Sequence, residues 1–300
     1  MNFVTIDSWP KRQPADYRSE LEAGNVLYFP VTPFAIPSES REFLRGLDFA
    51  GSAVHKNIAY RPAGDRVTGL DSKDAQSARL LEVMRDYSRA VTEFTGELLP
   101  AYARSWKLDY ASFRPVEESG RDLPLNKRND LLHTDAFPSR PTGGDLILRV
   151  FTNVSSSKTR DWVTTDPFPM LAEKYARDAG LDKIAASAHS ASGGLLYKSA
   201  RLLKSVGVPV VPRSAYDRFM LRFHEYLKRN SDFQASCAKY RFDFPPGSTW
   251  LTFTDVLPHS VLSGQHALEQ TFIIDRNSLA HPENAPFRVL ERLSGKSLLA

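Results

Sequence analysis

A chain of 300 residues, 42% hydrophobic and 25% charged, carries enough apolar material for one large domain or two small ones. Its net charge of +4 excludes the profile of a dedicated nucleic-acid binder, and no apolar run approaches the length that spans a bilayer. The single cysteine, Cys237, excludes an intrachain disulfide and a thiolate cluster, so any metal must be held by imidazoles and carboxylates. The opening MNFVTIDSWPKRQ lacks the layout of a secretory signal, and together these features predict a cytoplasmic protein.

In chain order, the apolar run Val26, Leu27, Tyr28, Phe29 reads as a strand stopped by Pro30. Residues 35–70 are mixed and rich in turn formers. Asp71 and Ser72 then precede Leu80, Leu81, Met84, Tyr87, Val91, Phe94 and Leu98 at helical spacing, which predicts a helix over about 74–98 ended by Pro100. Residues 110–118 and 146–154 read as strands. From about 168 to 232 the pattern is helical. KYRFDF, STWLTFTDV and LEQTFIID follow as β-branched and aromatic strands, with the turn PPGS between the first two, and PFRVLERL closes the chain as an amphipathic piece. Two strand blocks separated by helices predict an α+β fold: a double-stranded β-helix (jelly-roll) core with flanking helices and a helical insert. The expected organisation is a single domain, 1–300, with a helix-rich part at 1–105, strands at 106–160 and 235–280, and the insert at 161–234. A parallel βαβ sheet fits less well, because its strands alternate singly with helices and no glycine-rich phosphate loop occurs.

The stretch LLHTDAFPSRPTGGDLILRV, 131–150, places His133 and Asp135 two residues apart. On an extended strand such a pair points to one face and reaches one ion from a stiff backbone. Two imidazoles and one carboxylate are the ligand set of ferrous oxygenases. With seven His, about one such H-x-[D/E] match arises by chance. His281-Pro-Glu283 is a second match, but a proline separates its ligands and no His follows it. The third ligand must come from His189, His224, His259 or His266. His189 lies in a helical Ala/Ser tract, and His224 on an apolar helix face suits a core or substrate contact. His259, after the strand STWLTFTDV, is preferred, with His266 the alternative.

Period 2 sets Ile147, Arg149, Phe151 and Asn153 on one face of the 146–154 strand. A buried Arg among apolar neighbours is costly without an anion, which suits a dianionic oxo-acid co-substrate gripped by Arg149. The alternative is a solvated Arg. Arg114 is a second such cation, or a surface residue paired with Glu117 or Glu118. Lys198, Arg201, Lys204, Arg213, Arg218, Arg222, Lys228 and Arg229 gather against only Asp217 and Glu225. They form either a solvated helix face or a surface for phosphates and carboxylates. Arg218, Arg222 and His224 are the substrate-binding candidates.

HTDAFPSRPTGGDLILRVFTNV and HSVLSGQHALEQTFII resemble the 3-deoxy-D-manno-octulosonic acid (Kdo) hydroxylases, Fe(II)/2-oxoglutarate dioxygenases of Gram-negative bacteria. The resemblance runs from YFP near the N-terminus through FRPVEE to the last strand. It implies hydroxylation at C3 of a Kdo sugar in Kdo-lipid A or another lipopolysaccharide precursor, giving D-glycero-D-talo-oct-2-ulosonic acid. It implies His133, Asp135 and His259 as ligands of Fe(II), and Arg149 and Arg114 as cations that hold 2-oxoglutarate. With no nucleic-acid partner expected from the mild net charge, the basic insert suits a peripheral contact with the inner membrane. One departure stands out: many such enzymes carry an Arg about ten residues past the last His, where this chain has Gln270. Competing expectations are a dioxygenase of another small molecule or of a protein side chain, a non-catalytic cupin-like sugar-binding module, and a basic lipid-surface protein.

Overall fold

The computed structural model describes residues 3–9, 17–47, 58–69, 76–190, 199–200, 202–204, 206 and 208–299. Its strands are β1 (Phe3–Thr5), β2 (Val26–Phe29), β3 (Ile58–Arg61), β4 (Arg66–Thr68), β5 (Lys107–Arg114), β6 (Leu146–Asn153), β7 (Arg160–Thr164), β8 (Tyr240–Phe244), β9 (Thr249–Phe253), β10 (His259–Ser263) and β11 (Ala267–Ile274). The helices are α1 (Tyr17–Glu22), α2 (Ser38–Gly46), α3 (Ser77–Leu98), α4 (Pro100–Ala103), α5 (Phe168–Tyr175), α6 (Leu181–Ala188), α7 (Ala215–Arg229), α8 (Ser231–Ser236) and α9 (Pro286–Ser294). The architecture is mixed α+β. An eight-stranded sheet runs β1-β2-β9-β6-β11-β5-β3-β4, and a three-stranded sheet runs β10-β7-β8. An isolated antiparallel bridge, His133 to His259, extends the smaller sheet beyond β10.

Alternation along β6 explains how the large sheet is covered on both sides. Leu146, Leu148 and Val150 join the main core, which also holds Leu80, Met84, Tyr87, Val91 and Phe94 of α3. Phe151, on the other face, packs with Trp250, Trp162, Phe244 and Val261, so this second cluster draws on both sheets. Trp250 stacks on Phe244 with centroids 3.9 Å apart, and Trp162 meets Phe151 edge-on at 4.8 Å. These aromatics close one end of the space between the sheets.

Pro100 does end α3, but it also opens α4 as that helix's first residue, where its missing N–H costs nothing. The expected start at Asp71 and Ser72 lies outside the described residues. The helical insert is shorter than expected, because Arg160–Thr164 forms β7 and lies between β10 and β8. Gly264 makes the tight link from β10 to β11 (φ +108°). A Cβ there would sit 2.8 Å from the Arg160 Cα, so only glycine fits. Among the described residues no helix is long and apolar enough to cross a membrane.

Candidate active site

The His133–His259 bridge sets two imidazoles side by side. His133 N–H donates to the His259 carbonyl (3.1 Å), and His259 N–H donates back to that of His133 (2.9 Å). Asp135 N–H donates to the Thr254 carbonyl (2.9 Å), which anchors the third side chain two residues on. His133, Asp135 and His259 each offer a ligand atom, and these atoms lie within 4.8 Å of one another. His133 Nδ1–H donates to the Leu131 carbonyl (2.7 Å), and His259 Nδ1–H to that of Leu257 (3.0 Å). A carbonyl only accepts, so both Nε2 lone pairs are left for a cation. Burial lowers both imidazole pKa values, which keeps the rings neutral and ready to ligate.

The Asp135 carboxyl is pushed up by burial, but the charge of Arg149 beside it outweighs this and holds it below the ordinary range. Its Oδ2 is buried without a hydrogen-bond partner. Arg149 Nε lies 3.3 Å away at an angle that makes no bond, and it too is unpartnered. A buried carboxylate oxygen left in this state fits a metal cation, and so do the paired Nε2 atoms.

Arg149 and Arg114 both reach the site, but neither is a lone cation. Arg149 Nη1 lies 3.2 Å from Glu269, and Arg114 grips the same carboxylate through Nε (2.9 Å) and Nη2 (2.6 Å). The chain continues through Glu118, which contacts Arg114 (3.8 Å), Arg121 (3.2 Å) and Arg160 (3.2 Å). The burial of Arg149 is therefore offset from within by Glu269, a residue sequence reasoning did not single out. Gln270 faces the opposite way: its Oε1 accepts from Ser88 of α3 (2.8 Å), and its Nε2 donates to the Asp109 carbonyl (3.0 Å). An Arg at that position would point at a helix, not at the triad.

A cavity of about 560 Å³ opens over the triad, bounded by Arg114, Arg149, Arg160, Trp162, His224 and Lys228 and roofed by the 121–129 segment. Trp162 stacks flat on His259 (centroids 4.9 Å apart) and covers that face of the imidazole. Of the three substrate candidates, only His224 lines the cavity. It donates from Nδ1 to the Thr134 carbonyl (2.7 Å), and its ring centroid is 4.9 Å from that of His133. Arg218 and Arg222 are exposed on the outer face of α7 and do not reach it, and Arg222 instead donates to the Ala179 carbonyl. His266 stacks on Phe113, His189 binds the Ser297 carbonyl, and His281 pairs with Glu283 at the surface. Lys228 was within reach of sequence reasoning, since it follows His224 by four residues on the same helix face. Arg160 was not, because the strand that carries it was not anticipated.

An open cationic cavity over two imidazoles and a carboxylate presents the donor set that mononuclear non-haem iron oxygenases use. Within that class the chain belongs to the 3-deoxy-D-manno-oct-2-ulosonic acid (Kdo) hydroxylase family, whose model matches residues 6–297. Its backbone is similar to that of the Kdo hydroxylase KdoO, a non-heme Fe(II) alphaketoglutarate dependent dioxygenase. The cobalt(II) complex of KdoO is 35% identical with a TM-score of 0.84, and the match covers 99% of this chain and 97% of that one. The complex of KdoO with alphaketoglutarate and Fe(III) is 34% identical (TM-score 0.83, 99% and 97% covered), and that with succinate and Fe(III) is 35% identical (TM-score 0.83, 99% and 97% covered). No protein of curated function matches the chain by sequence.

Proposed function

We propose that this chain hydroxylates C3 of a Kdo sugar in a lipopolysaccharide precursor such as Kdo-lipid A, using Fe(II) and 2-oxoglutarate (alphaketoglutarate). The observation that carries the reading is the convergence of His133, Asp135 and His259 in one cavity, in a chain 34–35% identical to KdoO over its whole length. We read the two sheets, with the aromatic cluster between them, as a double-stranded β-helix, and residues 1–300 as one dioxygenase domain. His133, Asp135 and His259 would hold the iron. Bound iron with 2-oxoglutarate supplies the oxidising chemistry: one atom of dioxygen enters the sugar and the other enters succinate as carbon dioxide leaves. The chain's own task is positioning. The Leu131 and Leu257 carbonyls fix the two imidazole tautomers, and Trp162 and Phe151 wall off water on one side. Arg149, beside Asp135, would pair with the far carboxylate of 2-oxoglutarate while Glu269, itself held by Arg114, anchors its guanidinium from the other side.

Succinate release and one added oxygen on Kdo, followed by mass spectrometry with Kdo-lipid A, test the reaction. Arg149→Ala is expected to raise the KM for 2-oxoglutarate about tenfold or more, the loss of one charge-assisted contact. An unchanged KM removes Arg149 from the scheme, and tight Fe(II) binding without succinate release favours a sugar-binding module instead.

A peripheral contact with an anionic membrane surface fits the same reading. Leu203, Val206, Val208 and Val211 are exposed in one short stretch beside the exposed Lys204. Lys198 and Arg201 of the same basic stretch lie outside the described residues. Exposed apolar residues among cations are the composition of a lipid-surface element.

A further inference from the structure

We propose that Lys228 takes the carboxylate of the acidic sugar and so sets the sugar over the triad. The proposal rests on the reading that the substrate is a Kdo sugar, an octulosonic acid. Lys228 comes from α7, lines the same cavity as His133, Asp135 and His259, and is 4% exposed. What separates it from the other buried cations there is its lack of an internal partner. Arg114 and Arg149 share Glu269, and Arg160 and Arg121 share Glu118. Among the described residues no carboxylate lies within ion-pair distance of Lys228. Asp130, on the neighbouring loop, is held by Arg128 at 2.5 Å. Among the described residues the Lys228 ammonium makes a single hydrogen bond, a long one of 3.4 Å to the Asn126 carbonyl. An ammonium carries three donors, so two of them are left to face the open cavity, where a carboxylate can take them. Burial lowers its pKa to about 8, which still leaves it charged near neutral pH and ready to meet a carboxylate.

A second observation bears on the rest of the acceptor. Lys228 also lines an adjoining open recess of about 540 Å³, bounded by Leu125, Leu131, Arg128 and Arg229. The cation therefore stands where the metal cavity meets a groove with both apolar and cationic walls. A sugar held there by its acid group leaves the bulk of a glycolipid free to lie along that groove.

The test is steady-state kinetics with Kdo-lipid A in detergent micelles and with its carboxyl methyl ester, read as succinate release. For the wild-type enzyme the ester is expected to show a KM about tenfold or more above that of the acid. Lys228→Ala should raise the KM for the acid by a similar factor, raise that for the ester little further, and leave the KM for 2-oxoglutarate unchanged. Lys228→Arg should recover most of the lost affinity, which a purely structural role would not require. Lys228→Ala with a wild-type KM for the acid, or with an equal rise for acid, ester and 2-oxoglutarate, overturns the proposal and leaves the hydroxylase reading standing. Wild-type enzyme that releases no succinate with Kdo-lipid A sinks that reading, and the proposal with it.

Discussion

At the scale of single residues, the site is governed by which charges find partners inside the chain. Glu269 shows the difference one position makes on a strand. It lies between the two guanidiniums that line the cavity, while Gln270, its neighbour, faces α3. Asp255 is the opposite case. Burial pushes its pKa up to about 7, its Oδ1 accepts from the Ile147 N–H (3.0 Å), and its Oδ2 has no hydrogen-bond partner. The sign of its effect follows from proton uptake. In the unfolded chain this carboxyl ionises near 3.8, but in the folded one it keeps its proton to about 7. The folded state therefore binds more protons between those values, and stability falls as pH rises through that window. Asp255→Asn keeps the acceptor and removes the titration. It should be more stable than wild type at pH 8 by on the order of 2–4 kcal/mol, and the gain should shrink towards pH 4. Urea melts at the two pH values measure this, and an equal difference at both would reject the assignment.

At the scale of elements, α7 connects the core to the cavity. Phe219, Phe223 and Leu227 are buried, while His224 and Lys228 point into the site one turn apart. Its start is set by a capping box: the Ser214 side chain accepts from Asp217 N–H (3.1 Å), and Asp217 accepts from Ser214 N–H (3.0 Å). Asp217 also accepts from Gly143 N–H (3.0 Å), tying the helix to the loop before β6. Ser214→Ala is expected to cost about 1 kcal/mol of stability, visible as a lower urea midpoint with an unchanged slope. A shift within error would show that the cap is made by other groups. The α3 stripe was legible because it recurs at helical spacing from Leu80 to Leu98, about five turns. The β7 strand was not: RDWVT opens on two charges, and its burial depends on β8 and β10 on either side.

At the scale of the whole molecule, the large sheet gives one face to α3 and the other to the smaller sheet, and the site lies in the space between the sheets. The arginines divide accordingly: Arg114 of β5, Arg149 of β6 and Arg160 of β7 are largely covered and paired, while Arg218, Arg222 and Arg229 of α7 stay outside. An outer surface of this kind, together with the exposed Leu203, Val206, Val208 and Val211, is expected to bind anionic vesicles in a salt-dependent way. Co-sedimentation of the full chain with phosphatidylglycerol vesicles should exceed that with phosphatidylcholine, and Val206→Asp with Val208→Asp should weaken it several-fold. Equal recovery on both vesicle types would remove the membrane contact.

The sequence by itself determined the local rules: the α3 stripe, the alternation of β6, and the placing of His133 and Asp135 on one face. These depend on residues a few positions apart and on fixed backbone periods. It also narrowed the third imidazole to His259 or His266, through the strand block in which each lies. Only the tertiary structure decided that His259 arrives beside His133, that Glu269 holds Arg114 and Arg149, and that Arg218 and Arg222 face solvent while Lys228 is buried. Each of these depends on which strands lie side by side and which helix face meets the core, contacts between segments up to more than a hundred residues apart.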